Sequence, residues 1–112
     1  MKVAIPCNSR KELVSLDKAE SIIIYDDSDG SIRESENPGF GSKEATMSII
    51  LRQEPDVIAV KGGVLCPGSY MMSLGIIKYA IVNSENADDI IKNKEYKNAK
   101  TELPEELFAE NE

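Results

Sequence analysis

The sequence predicts one α/β domain built on a mixed β-sheet, with elements in the order βββαβαβα. Three observations carry that prediction. Short, strand-length apolar runs occur at residues 2–6, 21–26, 56–60 and 76–82; a helix-compatible stretch fills residues 43–52; and a glycine-rich break, Gly62 and Gly63, separates the fourth strand from a second helix start. At 112 residues the chain has room for one core of two or three layers.

Lys2, Val3, Ala4, Ile5 and Pro6 form a first strand ending at proline, and a polar loop leads to a second, β-branched strand over residues 21–26. Asp27, Ser28, Asp29 and Gly30 signal a tight turn, so residues 31–36 return as an antiparallel third strand whose charged residues suit a sheet edge. Asn37, Pro38 and Gly39 interrupt the chain. Ser42 then caps a helix over residues 43–52, which Pro55 ends.

The short run 56–60 suits a strand covered on both faces. Past Gly62 and Gly63, Pro67 fits a first helical turn, and a helix continues to Leu74 until Gly75 stops it. Residues 76–82 form the fifth strand, and residues 86–94 a last helix. The early hairpin implies antiparallel pairing and the helical connections imply parallel pairing, which makes the sheet mixed. The organisation read from this is a domain over residues 1–93 and an acidic C-terminal tail over 94–112. That tail reads as flexible, or as one short docked turn carrying Leu103, Leu107 and Phe108.

Twenty acidic and thirteen basic residues give a net charge of -7, which opposes attraction to a phosphate backbone and excludes a general nucleic-acid binder. No run approaches the ~20 apolar residues that span a bilayer, so no membrane partner and a cytoplasmic location are expected. The chain has no histidine, which removes Ser-His-Asp and Cys-His catalysis and every histidine-containing zinc motif.

Chemistry is therefore expected at the glycine loop. Gly62 and Gly63 let the backbone approach a ligand, Lys61 supplies charge, and Cys66 lies at the start of the second helix, where amide donors favour a thiolate. A thiolate is a nucleophile or a metal ligand; a buried cysteine is equally often a small apolar core residue. A small anion or nucleotide bound by the same loop without metal is an alternative, and a redox or acyl-transfer role for Cys66, with Cys7 as resolving thiol, is a third.

The order and spacing of several segments resemble the dinitrogenase iron-molybdenum cofactor biosynthesis family over about the first 93 residues. These are the opening Lys2 to Pro6, Ile24, Tyr25 and Asp26 with the turn after them, Glu36, Asn37 and Pro38, residues 56–59 leading to Gly62 and Gly63, and Gly75 to Tyr79. The resemblance implies a ribonuclease H-like three-layer fold with a five-stranded mixed sheet in the order 3-2-1-4-5. It implies a non-catalytic carrier of an iron-sulfur or iron-molybdenum-type cluster, with cofactor-assembly proteins as partners and a homodimer as one arrangement. The family's His-Phe-Gly falls here on Ser15, Leu16 and Asp17 and its second histidine around residues 39–43, and neither histidine is present. With adjacent first and fourth strands, Cys7 and Cys66 become the implied metal ligands, joined at the cofactor site by Lys61, Gly62, Gly63 and Gly68.

Overall fold

The structure, a computed structural model, describes residues 1–108. Five strands, β1 (Lys2–Cys7), β2 (Ser21–Asp26), β3 (Ser31–Glu36), β4 (Val57–Val60) and β5 (Lys78–Ile81), form one sheet in the order β3-β2-β1-β4-β5. β1 pairs antiparallel with β2 and parallel with β4, β2 pairs antiparallel with β3, and β4 pairs parallel with β5. The mixed sheet and its strand order agree with expectation. Three helices, α1 (Lys43–Arg52), α2 (Pro67–Ser73) and α3 (Ala87–Lys92), cover its two faces.

β1 runs one residue beyond Pro6, and the backbone parity explains why a proline is tolerated there. Lys2 O accepts from Asp56 N, so the even-numbered residues of β1 turn their backbone groups toward β4, and Pro6 belongs to that set. Registered pairing with β4 stops at Ala4, so the missing proline amide falls where no ladder partner waits.

The same alternation sorts the core. Ala4, Ile22, Ile24, Ile58 and Tyr79 face Met47 and Ile50 of α1 and Tyr70 of α2. Val3, Ile5, Cys7, Ala59 and Ala80 face Ala87 and Ile90 of α3 and Tyr96 of the 3-10 turn Glu95–Asn98. The sheet therefore lies between a layer holding α1 and α2 and a layer holding α3, as period-two side-chain alternation requires when both faces are covered.

At the end of the chain the structure takes the second of the two expectations, a docked turn, over residues 103–108; residues 109–112 of the expected tail lie outside the described residues. Tyr96 is buried and tilted against Tyr25. Lys100 then bridges to Tyr79 on the outer edge of β5, and residues 103–108 end on the α1–α2 side with Leu103 buried. Few apolar residues are present here, yet four of them, Tyr96, Leu103, Leu107 and Phe108, suffice to dock a segment against a preformed core. The wrap also covers part of a sheet edge that would otherwise be open.

One buried side chain ties β3 to α1. Asn37 Nδ2 donates to Ala19 O and to Thr46 Oγ1, each at 2.8 Å, while its Oδ1 accepts from Gly39 N at 2.9 Å. Gly39 packs so closely on α1 that an added Cβ would stand 2.7 Å from Thr46 N, so the corner accepts no side chain. Asn37→Ala removes three hydrogen bonds to buried residues, leaving Ala19 O and Gly39 N without the partner it supplied while Thr46 Oγ1 keeps its bond to Gly39 O, and is expected to cost about 2–4 kcal/mol. Urea denaturation reads this directly, and a midpoint equal to wild type would refute the structural role of Asn37.

Cys7 is fully buried, its Sγ donating to Ile5 O at 3.3 Å, and burial pushes its thiol up to about 12 from an ordinary 9.0, with the Glu34 carboxylate adding to the effect. A raised pKa in the folded state means that the thiol's contribution to stability is complete below pH 9 and is lost as pH climbs toward 12. The stability advantage of wild type over Cys7→Ala is expected to shrink by up to about 1.4 kcal/mol per pH unit above that lower limit. Paired denaturation curves at pH 8 and pH 10.5 test it; parallel pH profiles for the two proteins would contradict a buried, protonated thiol.

Candidate functional site at the glycine loop

Three segments meet beyond the carboxyl end of β4. The loop from Lys61 to Cys66 is pinned by Leu16 N donating to Val64 O at 3.1 Å and by Lys43 Nζ donating to Gly63 O at 3.0 Å. Gly41 N in turn donates to Asp17 O at 2.8 Å. The backbone thus draws together Leu16 and Asp17, the start of α1 and the glycine loop, the last with Gly63 at φ +85°, a conformation that L side chains rarely adopt.

Cys66 is the N-cap of α2, as its position before Pro67 predicts. Its Sγ accepts from Ser69 N at 3.4 Å, and Ser69 Oγ accepts from Cys66 N at 2.9 Å, a reciprocal capping box in which sulfur replaces the usual oxygen. The thiol has two acceptors within reach, Ser69 Oγ at 3.4 Å and Glu44 Oε1 at 3.6 Å. Glu44 also crowds Gly68, where an added Cβ would sit 3.1 Å from its Oε2. Gly68 therefore admits the α1 carboxylate beside the sulfur. Cys66 is 7% exposed, which places it just beneath the rim.

The two cysteines do not come together. Cys7 ends β1 on the face that packs against α3, whereas Cys66 caps a helix of the α1–α2 layer, so the sheet stands between their side chains. Adjacency of β1 and β4 is as expected; the parity of Cys7 along β1 turns its sulfur the other way. Among the described residues no group of three or more Cys, Asp or Glu is placed to hold a metal ion.

Lys61, Gly62 and Gly63 lie at the loop as predicted, Lys61 half-buried and the glycines exposed. Two amide donors that a bound anion would use are already engaged: Gly63 N donates to Leu107 O at 3.2 Å, and Ser69 N donates to Cys66 Sγ. Two contributors escaped the sequence reading: Lys43 and Glu44 reach the loop from the first turn of α1. Asp17 meets this end of the fold through its carbonyl, and its Oδ1 is buried without a hydrogen-bond partner among the described residues. Ordinary surface-charge patterning conceals Lys43 and Glu44, because only the fold turns them toward the loop.

No protein-family profile matches the chain, and no curated protein matches it by sequence. Solved structures share its fold, among them the following two. A Thermotoga protein provisionally named NifB, of the DUF35 family, superposes with a TM-score of 0.68 at 16% identity, over 92% of this chain and 96% of that one. A Methanocaldococcus jannaschii protein provisionally named a dinitrogenase superposes with a TM-score of 0.63 at 17% identity, over 89% of this chain and 92% of that one. At these identities the likeness is one of fold.

Proposed function

We propose that the protein is a non-catalytic carrier that holds a metal-sulfur cargo at the glycine loop through a single thiolate, Cys66. The observation that carries this reading is the setting of that sulfur, just below the surface and hydrogen-bonded by an amide of the α2 first turn. Amide donors to a ligating sulfur tune metal-sulfur sites, and soft thiolate suits iron-sulfur species. Glu44 is the nearest second ligand, 3.6 Å from the sulfur. The nitrogenase-related names of the two structural neighbours support the reading by analogy of fold.

One thiolate and one carboxylate are too few to enclose a cubane, which ordinarily takes four cysteine ligands. They are enough to hold a cargo that arrives with its own sulfides, and a sparse ligand set favours release to a client. Cys7, facing the other layer and protonated, has no part in this assignment. The small-anion alternative is less well supported, because Gly63 N and Ser69 N are both occupied within the chain.

Anaerobic reconstitution with iron and sulfide, followed by desalting and metal analysis, tests the proposal. Wild type and Cys7→Ala are expected to retain iron and to show sulfide-to-iron charge-transfer absorbance; Cys66→Ser is expected to lose most of both. A colourless, iron-free wild type would end the cargo reading, and equal loading of Cys66→Ser would remove the thiolate from it.

A further inference from the structure

The two edges of the sheet differ. On the outer edge of β5, Tyr79 and Lys100 exchange both backbone hydrogen bonds at 2.7 Å. β3, at the opposite edge, has β2 as its only strand neighbour. Asn37 N donates to Glu20 O, which continues the β2–β3 register and fixes the odd-numbered residues of β3 as those bonded to β2. The N–H and C=O groups of Ile32, Glu34 and Glu36 therefore point away from the sheet and meet no partner among the described residues. Pairing with β2 runs unbroken from Ser31 to Glu36, so neither a bulge nor a proline blocks this edge.

What the edge carries instead is charge, sorted by face. Ile32, Glu34 and Glu36 lie on the α3 side, opposite Tyr25, Ile23 and Ser21 of β2, and Arg33 lies on the α1 side, opposite Ile24. All four are exposed, and none of the charged groups is in an ion pair among the described residues. Glu34 Oε2 accepts from Ser21 Oγ at 2.9 Å, a bond that leaves its charge uncompensated.

This pattern works against a second copy of the chain. Two β3 edges related by a two-fold axis normal to the sheet keep every side chain on its own face, so each residue opposes one of its own parity. A register centred on Arg33 sets Arg33 against itself, one centred on Glu34 sets Glu34 against itself, and one centred on Ser35 sets Glu34 against Glu36. Centring on Ile32 avoids this but pairs only residues 31–33 before the turn at 27–30 intervenes.

We propose that β3 is a docking edge for an extended segment of another protein, added antiparallel as a sixth strand, with basic residues opposite Glu34 and Glu36, an acidic residue opposite Arg33 and an apolar one opposite Ile32. Main-chain hydrogen bonds to Ile32, Glu34 and Glu36 supply the attachment, and the cross-strand pairs supply the selection. The carboxylates that repel a copy are the ones that select the partner. A net charge of -7 favours the approach of a basic segment. The assignment does not depend on what the glycine loop binds.

The probe is the blocked heptapeptide TKTKEVT, whose lysines, glutamate and valine fall opposite Glu36, Glu34, Arg33 and Ile32 in antiparallel register. With the full chain and excess peptide, amide exchange at Ile32, Glu34 and Glu36 is expected to slow by about fivefold, and the effect to fade with added salt. Arg33 and Ser35, already bonded to β2, are expected to hold their rates. The peptide TETEEVT, with both lysines exchanged for glutamate, is expected to slow none of them, and the double variant Glu34→Arg, Glu36→Arg to reverse the preference. Should that variant fail to fold, Glu36→Arg is read in its place. Failure of TKTKEVT to slow the three amides, equal slowing by both peptides, or an unchanged preference in the variant would overturn the proposal. Slowing of the same amides in concentrated protein without peptide would assign the edge to a second copy and overturn it too.

Discussion

The parallel pairing of β1 with β4 is the constraint from which the rest of the molecule follows. It makes β1 an interior strand, bonded to β2 on one side and β4 on the other, and covered on both faces. Val3, Ala4 and Ile5 are accordingly apolar without interruption, as expected of a strand with no solvent side. It also brings the carboxyl ends of β1 and β4 to the same end of the sheet, where the loops that leave them carry the polar chemistry of the domain.

What the loops do there depends on how each is held. The loop after β1 turns back over the strand end, with Asn8 Oδ1 accepting from the amides of Arg10 and Glu12, and Leu13 N donating to Glu85 O. It seals Cys7 beneath it. The loop after β4 is instead opened by Gly63 at positive φ and runs into α2, so Cys66 emerges close to the surface. Two cysteines at neighbouring strand ends thus meet opposite fates: one is a protonated core residue, the other a capping sulfur with a carboxylate partner.

Behind the loop, a buried hydroxyl network stiffens the platform on which Cys66 stands. Ser73 Oγ and Tyr79 Oη are 2.6 Å apart, Ser73 Oγ also donates to the Ser69 and Tyr70 carbonyls, and the Tyr70 hydroxyl accepts from Leu103 N. Burial raises the Tyr79 phenol above its ordinary value, in keeping with a hydroxyl that stays protonated within the network. α2 has only seven residues, and this anchoring to β5 and to the C-terminal segment compensates for what so short a helix lacks in intrinsic stability.

Much of the fold was legible in the chain. The β-branched run of β2, the turn at Gly30, the Ser42 cap and the Pro67 helix start all reappear where local chemistry puts them, because each depends on residues within one turn of itself. The site was legible only in part. Gly62, Gly63 and Cys66 announce a loop leading into a helix, but Asp17, Lys43 and Glu44 join it through tertiary approach, and the docked course of residues 103–108 was only one of the two readings their sequence allowed.

Cys7 marks the boundary between the two kinds of information. By itself the sequence determined that Val3 and Ile5 share a face and Ala4 opposes them, since strand side chains alternate with period two; Cys7 joined the face of Val3 and Ile5 only because β1 runs one residue past Pro6. Which helical layer that face would meet was decided only when the chain crossed from β3 through α1 to β4 and set α1 and α2 on one side and α3 on the other. Alternation is a local property of the backbone; the side on which a crossover lands is settled by the joint burial of distant apolar surfaces, and that sum is not written at any one residue.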